Sequence, residues 1–491
     1  MLKPSLEEIR KLAETEQYQV IPVSCEIYAD SSTPIQVLRR IKNVSRHCYM
    51  LESVDNRQKW GRYTFLGYDP VMELTCTDGQ VTLRAGSSLT LESNRPAEMI
   101  RQVLADNRSP RFDYLPAFTG GLVGYFAYDY IKYAEPALKL TPDDGEGLRD
   151  LDLMVFDKVI AFDHFRQKII LIVNIRCDHI ETEYRRADME LAHMRELVLH
   201  GSPCTESAGK MTSLLRPTFS RQEFCERVEK AQSYIRSGDI FQVVLSNRQQ
   251  AGFEGSLLDA YRVLRTTNPS PYMFYLSGDD LEIAGASPET LVKLENRVLY
   301  TFPLAGTRPR GRDDEEDRQL EQDLLKDEKE CAEHNMLVDL GRNDIGKISE
   351  FGSVRVEKHM SVEKFSHVMH IGSELRGVIR PDCDALSAVE ALLPAGTLSG
   401  APKIRACQII DELEGVKRGV YGGAIGYMDF TGNLDTCIAI RFACKKNGKV
   451  FVHTGAGIVA DSVPENEYEE CVNKAKAMVQ ALKTAQEGLE S

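Results

Sequence analysis

The 491-residue sequence lacks the short motifs of several large enzyme classes. It has no GxxxxGK(S/T) phosphate-binding loop, no GxGxxG dinucleotide fingerprint, no HExxH zinc-peptidase motif and no GxSxG nucleophile elbow. Nucleotide-driven reactions, dinucleotide-dependent redox reactions and zinc-dependent peptide hydrolysis therefore have no support in the sequence.

Closely spaced cysteines and long apolar segments are also missing. The twelve cysteines include no CxxC pair, which argues against a disulfide framework or a structural zinc site. Apolar runs such as residues 169–173 have the length of a strand and are too short to span a bilayer. The amino terminus carries Glu7, Glu8 and Glu14, unlike a signal or transit peptide. We therefore expect a soluble, cytoplasmic protein.

Acidic residues outnumber basic ones, 74 Asp and Glu against 60 Lys and Arg, so the formal net charge is −14. This balance argues against a protein that coats nucleic acid or an anionic membrane. With 42% hydrophobic and 27% charged residues the chain has an ordinary globular composition. Its length predicts about two or three domains, or one large composite core.

Strand-like and helix-like segments are mixed along the chain, which predicts an α/β (α+β) fold. We expect residues 1–200 to form an amino-terminal α/β region and residues 201–219, rich in Gly, Ser and Pro, to be a linker or surface excursion. Residues 220–491 would form the catalytic region, packed with the amino-terminal part into one composite unit. Ser220 and Glu223 form a capping-box pattern that predicts a helix start.

Three further local predictions bear on the site. An acidic segment predicts one long helix from residue 317 to about residue 342. The loop after Pro394 predicts a helix with Ser399 as N-cap and Pro402 in its first turn, where exposed N–H groups could bind an anion. Residues 436–444 predict a single strand that contains Arg441.

Two pairs of glutamates have helical i,i+3 spacing, Glu330 with Glu333 and Glu467 with Glu470. Each pair projects from one helix face, and a divalent cation would relieve the repulsion between the two carboxylates. Oxygen-only ligands suit Mg²⁺, and two such helices could converge on one magnesium site. The alternative is that each pair belongs to a solvated acidic helix face.

Other candidates have equally ordinary alternatives. Gly455 and Gly457 end a strand and would let a ligand carboxylate approach bare backbone. Arg441 could clamp a carboxylate or form an ion pair in the core. His370 has apolar neighbours, where a structural histidine is as reasonable as an acid or base.

Several longer segments together resemble the chorismate-utilising enzymes, and among these the large subunits of anthranilate synthases. The resemblance spans residues 50 to 474 and rests on the Glu330/Glu333 helix and on three segments, PLAGTRPRG (303–311), LVDLGRND (337–344) and PAGTLSGAPK (394–403). It implies a composite sandwich of two facing sheets with helices outside. It also implies conversion of chorismate and ammonia to anthranilate and pyruvate, the first step of tryptophan biosynthesis, by a magnesium-dependent lyase.

The resemblance assigns a role to each candidate residue. It implies that Mg²⁺ is held by Glu330, Glu333, Glu467 and Glu470, with Glu330 and Glu470 as the main direct ligands. It implies catalytic roles for His370, Glu289 and Thr397. It implies a substrate-binding surface formed by Thr307, Tyr421, Arg441, Gly455, Gly457 and Lys474.

Two positions distinguish between members of the family. Ala305 stands where aminodeoxychorismate synthases typically carry a nucleophilic lysine, and alanine leaves space for free ammonia. Gln242 replaces the lysine that activates water in isochorismate and salicylate synthases. Both residues favour anthranilate as product. An aminodeoxychorismate synthase, or a tryptophan-binding regulatory subunit without catalysis, remains the alternative.

The resemblance also predicts regulation and a partner. It implies a feedback site for tryptophan formed by Glu52 and Ser53 together with Pro271, Tyr272 and Met273; packing at a strand edge is the alternative for these segments. No cysteine lies in a glycine-flanked elbow with a downstream His–Glu pair, so we expect no fused glutaminase. We therefore expect a separate glutamine amidotransferase subunit and a hetero-oligomer.

Overall fold

A computed structural model describes residues 2–53, 61–364 and 368–489. Within these ranges the chain forms two large antiparallel sheets with helices around them. The helices are α1 (Leu6–Ala13), α2 (Pro34–Val44), α3 (Pro96–Ala105), α4 (Ile131–Ala134), α5 (Ile180–His200), α6 (Arg221–Arg236), α7 (Leu258–Thr267), α8 (Asp314–Lys326), α9 (Glu328–Gly346), α10 (Ala385–Leu392), α11 (Lys403–Glu414) and α12 (Pro464–Glu487).

The strands follow the chain from the amino-terminal region to the last helix. They are β1 (Val20–Tyr28), β2 (Cys48–Glu52), β3 (Tyr63–Tyr68), β4 (Met72–Thr77), β5 (Gln80–Ala85), β6 (Ser87–Glu92), β7 (Gly121–Phe126), β8 (Leu151–Phe156), β9 (Lys158–Asp163), β10 (Lys168–Arg176), β11 (Lys210–Met211), β12 (Arg216–Pro217), β13 (Gln242–Glu254), β14 (Tyr272–Ser277), β15 (Leu281–Ser287), β16 (Thr290–Glu295), β17 (Val298–Thr301), β18 (Leu304–Pro309), β19 (Arg355–Lys364), β20 (Val368–Val378), β21 (Gly400–Ala401), β22 (Ala424–Asp429), β23 (Leu434–Ile438), β24 (Phe442–Lys446) and β25 (Lys449–Ile458).

Both sheets draw strands from the two sides of residues 201–219. The first sheet has the order β1-β10-β9-β3-β2-β14-β15-β24-β25-β13-β11, and β12 and β21 also pair with β13. The second sheet has the order β18-β20-β17-β16-β23-β22-β7-β8-β4-β5-β6, with β19 on β20. Residues 201–219 carry the short strands β11 and β12, which pair with β13.

The two sheets face each other across one apolar core, with helices on the outer side of the first sheet. Strand β10 shows how the sequence produces this layering, because its side chains alternate between the two faces. Ile170 and Ile172 join the core between the sheets, whereas Ile169, Leu171 and Val173 pack in the layer that includes α5. A strand covered on both faces reads as a continuous apolar run. The predicted two-sheet sandwich with outer helices is confirmed.

One two-stranded ribbon passes from the first sheet into the second. Strand β15 pairs with β24 in the first sheet, and the continuations β16 and β23 pair in the second. The chain crosses between the sheets at residues 288–289 and again at residues 439–441, which we call the two sheet crossings. The amide of Ile438 donates to the carbonyl of Glu289 over 2.9 Å, and the amide of Ala286 donates to that of Arg441 over 3.1 Å. Glu289 and Arg441 therefore lie side by side where the sheets join.

The structure corrects three local predictions. The acidic helix is two helices, because Asp327 is extended and its carboxylate caps α9 by accepting from the amides of Lys329 and Glu330. The predicted strand 436–444 is divided by the second crossing, so Arg441 lies between β23 and β24, with a left-handed φ of 56°. Ser399 is no N-cap; its hydroxyl donates to the carbonyl of Ala395 over 2.8 Å, and α11 starts after Pro402.

One other local prediction, the capping box at Ser220, is confirmed. Ser220 caps α6 and Glu223 completes the capping box, as predicted. No described helix is both long and apolar enough to cross a membrane. All twelve cysteines are free of disulfide bonds.

Candidate active site

Two acidic helices meet beside the sheet crossings. Glu330 and Glu333 lie on α9, and Glu467 and Glu470 lie on α12, far away in sequence. Burial raises the pKa of Glu330, Glu333 and Glu467, and in each case the negative charge of Glu470 raises it further. The two predicted pairs are thus brought within electrostatic reach of each other, at the cost of mutual repulsion.

The donor atoms of these four glutamates are carboxylate oxygens, the type that a hard divalent cation binds. Among the described residues no three of the four carboxylates have oxygens within 4.8 Å of one another; the set that meets this distance is His47, Glu73 and Asp279. In that set Arg84 already lies 2.8 Å from Asp279 and 3.3 Å from Glu73. A wider group of carboxylates suits Mg²⁺, which keeps several waters and takes one or two protein ligands together with a substrate anion.

His370 on β20 lies next to the irregular part of β18, the strand that carries most of the PLAGT segment. Its Nδ1 lies 2.8 Å from the carbonyl oxygen of Gly306 and 3.1 Å from Oγ1 of Thr307. A carbonyl only accepts, so Nδ1 carries the hydrogen and the neutral ring has its lone pair on Nε2. Burial lowers the pKa of His370, which keeps the ring neutral at pH 7.

Gly306 connects this histidine to the acidic helices. Its φ is +64°, and a Cβ atom there would lie 3.2 Å from Oε2 of Glu330 and 3.0 Å from Leu324. A side chain would therefore be strained and would press on the proposed metal ligand. The absence of one lets His370 and Glu330 face the same space.

Glu289 occupies the first sheet crossing. Its Oε1 accepts a hydrogen bond of 2.9 Å from Oγ1 of Thr397. Burial raises the pKa of Glu289 to about 7, although Thr397, Lys474 and Arg441 all act to lower it. A carboxyl group with this pKa is divided between its acid and base forms at neutral pH, which suits proton transfer.

The remaining predicted substrate residues surround the end of β25. A Cβ atom on Gly455 would lie 2.7 Å from the hydroxyl of Tyr421, and one on Gly457 would lie 2.8 Å from Nε2 of Gln242. Lys474 donates to the carbonyl of Gly455 over 3.0 Å and lies 2.5 Å from Glu470. Arg441 donates to the carbonyl of Lys474 over 3.2 Å. The cationic groups and the bare backbone thus lie next to the acidic helices.

The five predicted regulatory residues line one cavity between the sheets. Strands β2 and β14 are neighbours, with Glu52 opposite Met273. The second sheet contributes β22 and β23 to the opposite wall, and the cavity volume is about 550 Å³ including its open side. The cavity is lined by Leu51, Glu52, Ser53, Tyr63, Phe65, Pro271, Tyr272, Met273, Phe274, Ile425, Gly426, Tyr427, Asp435 and Cys437.

Comparison with known proteins shows the family of the chain. A family model described as chorismate binding enzyme matches residues 11–480. The chain belongs to the chorismate-utilising enzymes. Among curated members of this family it is 46% identical to anthranilate synthase component 1 of Acetivibrio thermocellus, covering 99% of this chain and 100% of that protein. It is also 46% identical to the protein of the same name from Aquifex aeolicus, over 100% and 99% of the two chains.

Solved structures of chorismate-utilising enzymes share the fold. The crystal structure of anthranilate synthase component I from Streptococcus pneumoniae superposes with a TM-score of 0.75 at 40% identity, over 92% of this chain and 98% of the other. The menaquinone-specific isochorismate synthase of Escherichia coli has a TM-score of 0.70 at 18% identity, over 97% and 98% of the chains. At that identity the second likeness concerns the fold alone.

Two groups near the cavity between the sheets and the candidate active site were not predicted from the sequence. Asp435 lines the cavity between the sheets and accepts a hydrogen bond of 2.8 Å from the hydroxyl of Tyr272. The carboxylate of Glu52, one of the predicted tryptophan-site residues, accepts hydrogen bonds from Arg265 over 2.5 and 2.9 Å. Asp435 lies on β23, in a segment that carries no motif, so only the register of the second sheet shows it.

The second missed group is a buried ion pair behind the Thr397 loop. Arg418 and Glu414 are both buried and 2.5 Å apart. The guanidinium also donates to the carbonyls of Leu398 over 2.7 Å and Val244 over 2.8 Å. It thus ties α11 and β13 to the loop that presents Thr397. The i,i+4 spacing of the pair is visible in the sequence, but its burial is not.

We expect Arg418→Met to lower the free energy of unfolding by about 3–5 kcal/mol, because it leaves the buried Glu414 carboxylate unpaired. Chemical denaturation of purified protein measures this loss. The double variant Glu414→Met/Arg418→Met removes both charges and is expected to recover much of the stability. A single variant as stable as the parent would show that the pair contributes nothing.

Proposed function

We propose that this chain is the synthase component of an anthranilate synthase. It would convert chorismate and ammonia to anthranilate, pyruvate and water. The observation that carries the proposal is the match, over essentially the whole chain, to proteins named anthranilate synthase component 1. Ala305 and Gln242 support it, because both are buried near the candidate site and neither can act as an amine nucleophile or a lysine base.

Chorismate carries two carboxylates, one on the ring and one on the enolpyruvyl group, and each requires positive charge at the place where it binds. We propose that the enolpyruvyl carboxylate binds where Arg441, Lys474 and the backbone of Gly455 and Gly457 lie together. Tyr421, whose ring stacks on His453 with centroids 4.1 Å apart, fixes one wall of this surface. The ring carboxylate would face the acidic helices, where Glu330, Glu333, Glu467 and Glu470 would hold Mg²⁺. When bound, the cation supplies Lewis-acid charge and a template for that carboxylate.

The protein's own groups would manage the protons. Ammonia forms a bond to ring carbon 2, the ring double bonds shift, and the hydroxyl on carbon 4 leaves. We propose that Glu289, held by Thr397, donates a proton so that this hydroxyl leaves as water. His370, in the tautomer set by Gly306 and Thr307, would assist proton transfer beside it. Loss of the proton on carbon 2 then breaks the bond to the enolpyruvyl oxygen, which yields anthranilate and pyruvate.

We further propose a partner, an inhibitor and a location. A separate glutamine amidotransferase subunit would supply ammonia, and the isolated chain would use ammonium salts instead. Tryptophan would bind in the cavity between the sheets, against Glu52, Ser53, Pro271, Tyr272 and Met273. Twelve free cysteines are in keeping with a reducing cytoplasm.

An assay of the purified chain tests the proposal. Chorismate, Mg²⁺ and ammonium chloride are mixed with the protein, anthranilate is followed by its fluorescence, and pyruvate is measured with lactate dehydrogenase. We expect both products, and we expect tryptophan to suppress them. An amino product that keeps its enolpyruvyl group would identify an aminodeoxychorismate synthase and contradict the proposal.

A further inference from the structure

The cavity between the sheets and the candidate active site share the ribbon that joins the sheets. On the cavity side, Asp435 and Cys437 lie on β23 and Tyr272 begins β14. A few residues further along the same strands, the two sheet crossings place Glu289 and Arg441. A ligand that binds between the sheets therefore contacts the ribbon of strands that also positions Glu289 and Arg441.

One chain of side-chain hydrogen bonds spans this distance. Oγ1 of Thr290 donates to the hydroxyl of Tyr272 over 3.0 Å, and that hydroxyl donates to Oδ1 of Asp435 over 2.8 Å. The first bond joins the first crossing to the first sheet, and the second bond joins the two sheets. Thr290 is buried and is the residue directly after Glu289.

The backbone at Thr290 is irregular. Thr290 pairs with Cys437, but the register shifts before Val292 pairs with Thr436. Such a bulge re-aims neighbouring side chains and is a place where a strand can adopt a second arrangement. The hydroxyl of Ser287 donates to the carbonyl of Ile438, and the amide of Ile438 donates to the carbonyl of Glu289, so Ile438 fixes the backbone from Ser287 to Glu289. The irregular part of the strand that follows Glu289 therefore begins at Thr290.

A ligand with an N–H donor can share Asp435 with Tyr272, because an ionised carboxylate accepts several hydrogen bonds. Tyr272 can donate only one hydrogen, and it now gives that hydrogen to Oδ1 of this carboxylate. A ligand ammonium or indole N–H that bonds to the same carboxylate would change the position from which the carboxylate accepts the Tyr272 hydroxyl. The hydrogen bond that Thr290 donates to Tyr272 would then change its length and angle, at the bulge that lies next to Glu289.

We propose that Thr290 is the positioning residue that couples the cavity between the sheets to Glu289, through its hydrogen bond to Tyr272. This inference rests on the proposed function, because it takes tryptophan as the occupant of the cavity. Thr290 touches neither ligand. It acts by positioning Glu289, so removal of its hydroxyl should abolish the coupling while both sites still bind their ligands.

The test is Thr290→Val, which keeps the shape and the branched Cβ but removes the donor. The control is Thr436→Val, which removes a matched buried hydroxyl that bonds to the carbonyl of Val292 on the same pair of strands. Tryptophan binding is measured by calorimetry with and without chorismate and Mg²⁺ in ammonium-free buffer. Coupling between sites is reciprocal, so each ligand weakens the other by the same factor, typically about 5- to 150-fold.

We expect the parent protein and Thr436→Val to show this coupling, and Thr290→Val to bind tryptophan within about threefold of the parent with coupling near onefold. At saturating tryptophan the Thr290→Val enzyme should keep most of its anthranilate activity. A purely structural role would weaken tryptophan binding and leave the coupling factor in place. Thr290→Ala, which also removes the donor and leaves Tyr272 in place, serves if Thr290→Val does not fold.

Two results overturn the inference while the proposed synthase activity stands. One is a Thr290→Val enzyme that tryptophan inhibits as fully as the parent. The other is a parent enzyme that makes anthranilate but binds no tryptophan. A parent chain that forms no anthranilate from chorismate and ammonium refutes the proposed function itself.

Discussion

The Glu289→Gln variant is expected to form anthranilate with a kcat about 10²- to 10⁴-fold below that of the parent, the usual contribution of a positioned acid. Glutamine keeps the size of the side chain and can still meet the hydroxyl of Thr397. It cannot give a proton to the departing hydroxyl. Steady-state kinetics with saturating chorismate and ammonium measure the loss.

The pH profile identifies the same group. Burial raises the pKa of Glu289 to about 7 against the lowering effects of Thr397, Lys474 and Arg441. The acid form therefore predominates below pH 7 and is lost above it, so kcat of the parent should fall on the alkaline side of about pH 7. The Glu289→Gln variant should lack this alkaline decline, whereas Thr397→Val, which removes a bond to the carboxylate, should move it to higher pH.

A matched control is Glu390→Gln. Burial also raises the pKa of Glu390, which bonds to Arg101 and Tyr130 on the far side of α10. Its kcat and pH profile should stay close to those of the parent. If Glu289→Gln kept full kcat, or lost activity equally at every pH, Glu289 would not be the acid.

The second large effect concerns the acidic helices. Glu330→Gln or Glu470→Gln should raise the Mg²⁺ concentration for half-maximal activity by about 100-fold or more, because even residues behind metal ligands are worth about 10- to 100-fold. Titration of activity with MgCl₂ after removal of metal by chelation measures the shift. Each substitution also relieves repulsion, so the variants should be at least as stable as the parent without metal.

Neighbouring glutamates provide the controls on the same helices. Glu328 and Glu469 are exposed, and Glu469 lies 3.3 Å from Arg221. Glu328→Gln and Glu469→Gln should leave the Mg²⁺ titration unchanged. A chain whose activity does not depend on Mg²⁺, or whose dependence is equal in all four variants, would remove the acidic helices from the mechanism.

Local patterns predicted much of the fold. The capping box at Ser220 placed the start of α6, and the apolar run now seen in β10 predicted a buried strand, because both signals depend on near neighbours. The i,i+3 spacing of Glu330 with Glu333 predicted a shared helix face correctly. The division at residues 201–219 into two regions stays a prediction, although both sheets take strands from either side of it.

The corrected features depend on contacts between distant segments. The sequence predicts that Arg441 belongs to a single strand over residues 436–444. Nothing in those residues shows that the paired strands pass from one sheet to the other beside Glu289. The break in the acidic helix comes from Asp327, which caps α9 and also lies 2.8 Å from Arg308. Ser399 looks like an N-cap in the sequence. In the structure the next two residues, Gly400 and Ala401, pair with β13, so α11 begins only after Pro402.

Candidate site residues were predicted from the family resemblance more than from physics. Spacing alone left His370, Arg441 and the glutamate pairs open to ordinary structural roles. Asp435 and Arg418 escaped notice because their significance lies in burial and partners. Sequence-level reasoning finds charges on one element, and only the assembled sheets show which of them share a space.

The identity of the product from labelled ammonia tests the central claim most directly. The purified chain is given chorismate, Mg²⁺ and ¹⁵N-ammonium, and the products are analysed by mass spectrometry. We expect anthranilate with one ¹⁵N atom and an equal amount of unlabelled pyruvate. Isochorismate, or a labelled amino compound that retains its enolpyruvyl group without release of pyruvate, would contradict it.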